Sequence, residues 1–260
     1  MCGFQKILRQ KNTSYYGTSY LISFTKPILS HYLQLYNHYN ITMQNKIADL
    51  RRDYQLRSLD IGEVSPDPFV QFKGWFDEAL KIANASKRFE ANAMTLCTAT
   101  PDGKPSARIV LLKGFDEKGF IFYTNYDSKK GQQITANPYV SLVFHWHEME
   151  RQVRIEGQAA RLAPSLSDDY YDSRPRKSRL GAWASPQSQT IGDRAILEKN
   201  MDELQADYGE KKPIPRPSYW GGYCVEPSAI EFWQGRSSRL HDRIFYEKNN
   251  GKWRTRRLAP

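Results

Sequence analysis

Cations and hydroxyls recur along this chain at places where a plain structural element has no need of them. Arg108 and Lys113 bracket the apolar run Ile109-Val110-Leu111-Leu112. On an ideal strand five steps put the two charges about 17 Å apart and on opposite faces. They then serve different anions, opposite ends of one long ligand, or merely the solvated ends of a core strand. Tyr123 and Thr124 close the next apolar run and lead into Ser128-Lys129-Lys130-Gly131. A strand end turning into a helix start gathers hydroxyls, backbone N–H groups and two ammonium groups. That suits a phosphate, because the helix N-terminus adds a favourable dipole; a solvated lysine pair would read the same way. Gln152, Arg154 and Glu156 alternate along a third stretch and share one face, either a ligand surface or the wet side of a sheet. Tyr170, Arg174 and Ser178 follow at intervals of four around Ser-Arg-Pro-Arg-Lys-Ser. Pro175 ends any helix near Arg174, which leaves the basic residues at a helix terminus or on a loop. Last, Trp233 stands close in sequence to Arg239, His241 and Arg243, with Asp242 among them as the partner for a structural ion-pair cluster.

These cations stand singly, at strand ends and turns. A nucleic-acid surface tends instead to cluster its charge and interleave exposed aromatics. The chain's 260 residues carry 38 Lys and Arg against 28 Asp and Glu, a formal charge of +10. Half of that excess lies before Asp49, the first acid, on Lys6, Arg9, Lys11, Lys26 and Lys46. This acid-free, Ser-containing segment has the charge balance of a mitochondrial transit peptide but not its Arg density or amphipathic face. Met43, just before the composition changes, is an alternative start of translation. No apolar run approaches the ~20 residues that cross a bilayer, and nothing resembles a secretory h-region. Cys2, Cys97 and Cys224 form an odd set with no CxxC pair, which points to a reducing compartment. His145 and His147 would share one strand face, but no third ligand is in view and no metal is expected.

The elements that must position these residues are legible from period and punctuation. Asp67-Pro68 and the run that follows, with Phe69, Phe72, Phe76, Ala79, Leu80 and Ala83 at helical spacing, predict a capped helix. Strand-like runs occupy 93–100, 105–114, 119–125, 139–147 and 150–162, separated by the turn signals Pro101-Asp102-Gly103-Lys104 and Asp116-Glu117-Lys118-Gly119. Helical patterns return at 165–174 and 194–208. A last meander covers 219–226, 230–234, 240–247 and 252–258, with Asn249-Asn250-Gly251 as a hairpin turn. Short connections favour antiparallel pairing, and so many hairpins favour a barrel over an open sheet. GxGxxG, GxxxxGK[ST], GxSxG and HExxH are all missing. The fold class is therefore mainly β, a β-rich α+β barrel with helices around it.

The chain from about Lys46 onward closely resembles the pyridoxamine/pyridoxine 5′-phosphate oxidases, flavin enzymes that make pyridoxal 5′-phosphate. The resemblance rests on RRDY (51–54), RIVLLKGF (108–115), FYTNYDSKKG (122–131), ERQVRIEG (150–157) and YYDSRPRKSRLGAW (170–183). PQSQ (186–189), SYWGGY (218–223), IEFWQG (230–235), RLHDR (239–243) and RLAP (257–260) continue it in the family's order. Residues 1–45 have no such counterpart and read as an N-terminal extension; residues 46–260 read as one domain.

The resemblance implies a split β-barrel of antiparallel strands, working as a homodimer with FMN in clefts between the subunits. By matching position, Arg108, Ile109, Val110, Leu111, Leu112, Lys113, Tyr123, Thr124, Lys129, Lys130, Gln152, Gln187, Ser188, Trp233 and Arg243 would line the FMN site. Lys129 stands where the family often has Arg, which keeps the charge and loses the bidentate fork. Lys113, Tyr170, Arg174 and Ser178 would grip the substrate phosphate, with Arg239, Leu240 and His241 near the pyridine ring. Arg51 and Tyr54 match a segment that can close over the site. Arg239 and His241 would be the catalytic pair, stacking the substrate on the flavin and managing the proton lost from its alcohol or amine. The implied reaction oxidises pyridoxine 5′-phosphate and pyridoxamine 5′-phosphate with O2, releasing H2O2, and NH3 from the amine, in the cytoplasm, or in mitochondria if residues 1–42 act as a transit peptide. Neither nucleic acid nor membrane is an implied partner. Another split-barrel flavin oxidoreductase, a non-catalytic FMN or pyridoxal phosphate binder and a basic nucleic-acid binder are the competing readings. RLHDR and SRPRKS disfavour the first, and the intact Arg239 and His241 disfavour mere binding.

Overall fold

Apolar periodicity decides the first element. Phe72, Trp75 and Ala79 are buried along α1 (Pro68–Ser86), the three-to-four spacing that turns one helical face inward. Asp67 caps its start by accepting the Phe69 N–H at 2.8 Å, and Pro68 sits in the first turn, where no N–H is needed. Lys87 ends the helix in the left-handed conformation, φ 54°. The structure, a computed structural model, describes residues 47, 49, 50 and 52–260; the expectations for Arg51 and for residues 1–45 lie outside the described residues. Asp53–Pro260 forms a unit of its own.

After α1 come β1 (Ala93–Ala99), β2 (Pro105–Leu111), β3 (Gly114–Asp116), β4 (Gly119–Asn125), α2 (Lys129–Ala136), β5 (Tyr139–Trp146) and β6 (Arg151–Arg161). Three helices follow, α3 (Pro164–Ser173), α4 (Arg176–Ala184) and α5 (Ala195–Tyr208), then β7 (Trp220–Gln234), β8 (Asp242–Asn249) and β9 (Lys252–Leu258). The sheet runs β2-β1-β5-β6-β7-β4-β3, with β8 on β7 and β9 on β8, and every pairing is antiparallel. The Lys113 N–H donates to Ile121 O at 2.8 Å, which ties the exit of β2 to β4 and curls the sheet on itself. This is the split barrel with surrounding helices that the sequence predicts.

Four boundaries differ from expectation, each for a physical reason. The run 105–114 divides, because the chain turns after Leu111; Lys113 sits in that break, so strand alternation does not set its direction relative to Arg108. The expected strands 219–226 and 230–234 are one strand of 15 residues. Their apparent gap is a bulge: Gly157 pairs with Pro227 while Glu156 pairs with Ala229, and a bulge accommodates a proline that cannot donate to the ladder. Gly157 is required there, since a Cβ would lie 2.1 Å from Glu226 O. Third, Pro175 does not simply end a helix; it occupies the N-cap position of α4, so Ser178 is helical rather than in a loop. The last strand pair begins later, at Asp242, because Ser237–Arg239 form a 3-10 turn.

The core is aromatic. Phe72 is fully buried, with Phe115, Phe120 and Phe144 edge-on at 4.8, 5.0 and 5.2 Å and Phe76 stacked at 5.6 Å. Trp146 beside it satisfies its indole N–H on Ala91 O at 2.9 Å. A second, smaller cluster of Tyr171, Leu180, Ile214 and Trp220 lies under α3 and α4. The Phe72 ring joins α1 to three strands, β3, β4 and β5, so Phe72→Ala should lower unfolding free energy by about 3–5 kcal/mol. Urea denaturation followed by circular dichroism reads this as a fall in midpoint; an unchanged midpoint would refute the central place given to that ring.

Candidate functional site

An open cleft of about 670 Å³ lies where β4, the exit of β2 and the start of β7 meet α3 and α4. Its walls carry Lys113, Lys130 and Arg174, the hydroxyl and amide groups of Tyr123, Thr124, Asn125, Tyr170, Ser178, Ser185 and Gln187, and the Ile109–Leu111 strip. Among the described residues no aspartate or glutamate lines it. Three cations around one cavity without a carboxylate form a receptor for anions.

Lys130 sits at its base. Ser128 caps α2 and, with Gly131, makes the turn that holds it; a Cβ on Gly131 would lie 2.1 Å from Tyr126 O. The Lys130 side chain is buried, and its Nζ donates to Thr124 Oγ1 at 3.0 Å, Ser128 Oγ at 3.0 Å and Gln187 Oε1 at 2.9 Å. All three acceptors are neutral. Burial, with the nearby Arg108 guanidinium adding to it, pulls the ammonium pKa down to about 8. Arg108 itself donates to Thr98 Oγ1 at 2.6 Å and Leu96 O at 3.2 Å, and burial lowers its pKa as well.

On the facing wall, Tyr123 and Tyr170 stack at 3.9 Å and Arg174 lies 4.5 Å over the Trp220 ring. Arg174 Nη1 is buried with no hydrogen-bond partner. Burial lowers this pKa too, against the opposing effect of Tyr170 and Tyr171. The angle between α3 and α4 that presents Arg174 and Ser178 is fixed from outside. Tyr171 donates its hydroxyl to Arg179 O at 2.9 Å, and Arg176 caps the end of α5 by donating to Tyr208 O, Gly209 O and Lys212 O.

A second cluster gathers at the far end of β7. Register places Gln152, Trp233 and Arg243 side by side across β6, β7 and β8. Here acids are present: buried Glu231 accepts from Arg243 Nη2 at 2.7 Å and Nε at 3.2 Å, and pairs with Arg154 at 3.6 Å. His241 lies 4.6 Å from the Trp233 ring, and Tyr54 approaches both, at 5.8 Å and 5.9 Å. Gly235 makes room, since a Cβ would come within 2.7 Å of the Tyr54 ring. Glu150 pins that segment by accepting the Gln55 and Leu56 N–H groups at 3.0 Å. His241 Nδ1 accepts the Arg236 N–H at 3.1 Å, so the neutral ring carries its proton on Nε2 as a donor. Burial, and then Arg239, lowers its pKa against the pull of Asp242. Arg239 and Ser238 both take left-handed backbone, φ 60° and 54°, and the exposed Arg239 guanidinium has no partner among the described residues.

The residues predicted from sequence thus fall into two groups. Ile109, Val110, Leu111, Lys113, Tyr123, Thr124, Lys130, Tyr170, Arg174, Ser178 and Gln187 meet in the cleft, with Arg108 behind Lys130. Tyr54, Gln152, Trp233, Arg239, His241 and Arg243 belong to the second cluster, with Leu240 exposed beside it. Lys129 and Ser188 are exposed outside the cleft, and Leu112 is in the core. The proposed Asp242 cluster exists, through Arg257 at 2.7 Å and Arg236 at 3.5 Å, but Arg243 prefers Glu231. Sequence reasoning passed over Trp220 in the cleft and Arg151, buried over Trp75 at 4.2 Å. The Trp-Gly-Gly run is the one signal for the former, since a Cβ on Gly222 would meet the Tyr123 ring at 2.8 Å.

Comparison with known proteins identifies the family. Residues 82–207 match the family described as pyridoxamine 5′-phosphate oxidase, and residues 220–260 match the pyridoxine 5′-phosphate oxidase C-terminal dimerisation region. A pyridoxine/pyridoxamine 5′-phosphate oxidase from Nostoc sp. is 56% identical over 219 residues, covering 84% of this chain and all of the relative. The solved structure of PhzG from Burkholderia lata, in complex with tetrahydrophenazine-1-carboxylic acid, is 32% identical with a TM-score of 0.72, covering 80% of this chain and all of that one. An FMN binding protein from Nostoc punctiforme, related to pyridoxamine 5′-phosphate oxidase, shares the fold at 19% identity and a TM-score of 0.58, over 73% of this chain and 97% of its own.

The buried ammonium predicts a pH dependence. The native pKa of Lys130, about 8, lies below the unfolded value of 10.5, so between the two the unfolded chain binds more protons and stability rises with pH. The penalty of the buried charge is therefore full below pH 8 and fades by 10.5. In the ligand-free protein Lys130→Met should raise the urea midpoint at pH 7.5, and the gain should shrink steadily between pH 8 and 10.5. A difference between variant and wild type that is constant with pH would show that Lys130 is not desolvated.

Proposed function

The chain belongs to the pyridoxine/pyridoxamine 5′-phosphate oxidase family, and from that premise we propose that it oxidises pyridoxine 5′-phosphate and pyridoxamine 5′-phosphate to pyridoxal 5′-phosphate with FMN and O2. The observation that carries this reading is the acid-free cleft with its buried, carboxylate-free Lys130 and the unpartnered Nη1 of Arg174. Two phosphates, one on the cofactor and one on the substrate, match two separate cationic points. Lys130, Arg108, Thr124 and Gln187 fit the cofactor phosphate, and Lys113, Tyr170, Arg174 and Ser178 fit the substrate phosphate through charge-assisted bonds. When bound, FMN supplies the acceptor for the hydride leaving the substrate C4′ carbon and passes two electrons to O2 as H2O2.

The chain's own residues do the holding. The phosphate grip fixes the donor carbon, replacing a bimolecular encounter by a bound geometry. His241 offers its Nε2–H to a polar group of the pyridine ring, because its Nδ1 is already engaged by Arg236. Arg239, exposed and unpaired, brings a full positive charge to the same ring. Water completes the amine reaction by hydrolysing the imine and releasing NH3.

A homodimer belongs to the same proposal, and distance within the chain supports it. Trp220 and Trp233 stand near opposite ends of β7, a contour of about 40 Å at roughly 3.3 Å per residue. The cleft and the Trp233–His241 cluster of one chain therefore serve different ligands, and each site is completed by a second copy across a two-fold axis. The match of residues 220–260 to a dimerisation region supports this, since it contains Trp233, Arg239, His241 and Arg243. FMN then lies between subunits. Residues 46–260 form the catalytic domain and 1–45 an extension to it. Among the described residues no helix is long and apolar enough to cross a membrane, and the proposed compartment is the cytoplasm. The Burkholderia lata relative binds a ligand with no phosphate in its name; the four-residue phosphate grip favours the phosphorylated vitamers here.

Purified protein should be yellow, with flavin bands near ~370 and ~450 nm, and should release H2O2 on addition of pyridoxine 5′-phosphate. A colourless protein that cannot be reconstituted with FMN, or one inert toward the phosphate ester, would overturn the reading. Arg239→Leu should retain the flavin and lose roughly a hundredfold in turnover, the scale of one removed electrostatic contact in an active site. Unchanged turnover would take Arg239 out of the reaction.

A further inference from the structure

The Arg174 guanidinium must be aimed, yet among the described residues nothing hydrogen-bonds it. Its neighbours are held in the ordinary way. Arg176 donates to three carbonyls at the end of α5, and Arg216 is fixed by Asp168 at 2.6 Å and Trp220 O at 2.5 Å. Arg174 makes no side-chain hydrogen bond or ion pair among the described residues, and its buried Nη1 has no partner. What touches the guanidinium is aromatic: the Trp220 ring at 4.5 Å and, more distantly, the Tyr171 ring at 5.8 Å.

From this geometry we infer that Trp220 is a positioning residue for the substrate phosphate, acting through Arg174; the inference rests on the function proposed above. A π face attracts a guanidinium without using its N–H donors. A carboxylate in the same place would orient Arg174 equally well but would neutralise it and occupy its fork. Trp220 thus gives direction and leaves both the charge and the donors for the phosphate oxygens.

The indole is itself immobilised, which the role requires. Tyr171 meets it edge-on at 5.3 Å and 65°. Its backbone N–H donates to Pro217 O at 3.0 Å, and its carbonyl is clamped by Arg216. Arg216 also holds Asp168 on α3, the helix that carries Tyr170. Tyr123, Tyr170 and Trp220 lie nearly parallel, with interplanar angles of 17°, 13° and 5°. The phosphate grip is therefore mounted on one aromatic platform, which includes a wall of the cofactor cleft.

The test compares wild type with Trp220→Phe, which keeps a ring face, and Trp220→Leu, which keeps only apolar volume. Two readouts are taken on FMN-loaded protein: steady-state kinetics with pyridoxine 5′-phosphate, and calorimetric titration with inorganic phosphate. Trp220→Leu should raise both the KM and the phosphate Kd by about tenfold, within the range of a desolvated cation–π contact, with kcat within about twofold. Trp220→Phe should restore both to within about threefold of wild type. Folded, flavin-loaded Trp220→Leu with unchanged KM and Kd would overturn the inference. So would Trp220→Phe as impaired as the leucine variant, because that outcome assigns Trp220 to packing alone. Wild-type protein that binds phosphate in a Trp220-dependent way but does not oxidise the ester would instead refute the proposed function and leave the Trp220–Arg174 coupling standing.

Discussion

Burying Lys130 among neutral oxygens costs free energy that those oxygens return only in part, because an ammonium taken out of water is not compensated by hydroxyl and amide dipoles. The fold tolerates the cost by making it local. Ser128, Thr124 and Gln187 converge from the cap of α2, the end of β4 and the segment after α4, so three elements must close correctly before the lysine has all its partners. Gly131 exists in its place because the turn of α2 runs against Tyr126 O. The surrounding architecture can then be understood as a frame that holds a cation in a position it would leave if the frame were loose. On the proposed function an arriving phosphate would remove the penalty, and the binding free energy would include that relief. Preorganisation and affinity are here the same feature viewed without and with the ligand.

β7 is the second constraint. A strand of 15 residues is long enough to pair with β4 and β8 in succession along one edge while β6 covers the other. It therefore carries the cleft near one end and the Trp233–His241 cluster near the other, the two ends to which the proposed function assigns phosphate and ring. The bulge at Pro227 bends the strand without ending it, and Gly157 permits the close approach that the bend demands. One continuous element thus fixes the relation between two half-sites far more rigidly than a hinge would. A two-fold symmetric pair converts two half-sites per chain into two whole ones.

Much of this was legible in the sequence, and the misses have causes. Helix α1 announced itself through Asp67-Pro68 and apolar residues at helical spacing, because capping and amphipathicity are local properties. Strand identities were legible for the same reason, through alternation and turn residues. The continuity of β7 was not, since Pro227 reads locally as a stop and only its partner strand shows that it is a bulge. Helix α4 was hidden by Pro175, whose local meaning is equally an end or a beginning. The partition of the site was also out of reach: Lys113 and Arg239 belong to one proposed ligand, and nothing in their spacing says that they lie in different clusters. Trp220 carried no charge or hydroxyl to mark it, and its contribution depends on which cation lies over its face.

The distribution of carboxylates sharpens what the surplus of positive charge means. Net charge alone would suit any anionic partner. At the Trp233–His241 end the acids are matched to bases, with Glu231 serving Arg243 and Arg154 while Asp242 serves Arg257 and Arg236. There, among the described residues, only Arg239 of the site's arginines stays unpaired, so a single charge is left for a ligand. In the cleft no acid appears among the described residues, and three cations face it. A polymer-binding surface would leave exposed cations in a row; here Lys130 is buried, Arg174 lies half-buried on an indole and only Lys113 is exposed. Charge left uncompensated at burial is more costly than charge left at the surface, so a fold retains it only where a compact anion arrives to match it. The sheltered, separate placement of Lys130 and Arg174 therefore argues for small anionic molecules, by a route independent of any resemblance between sequences.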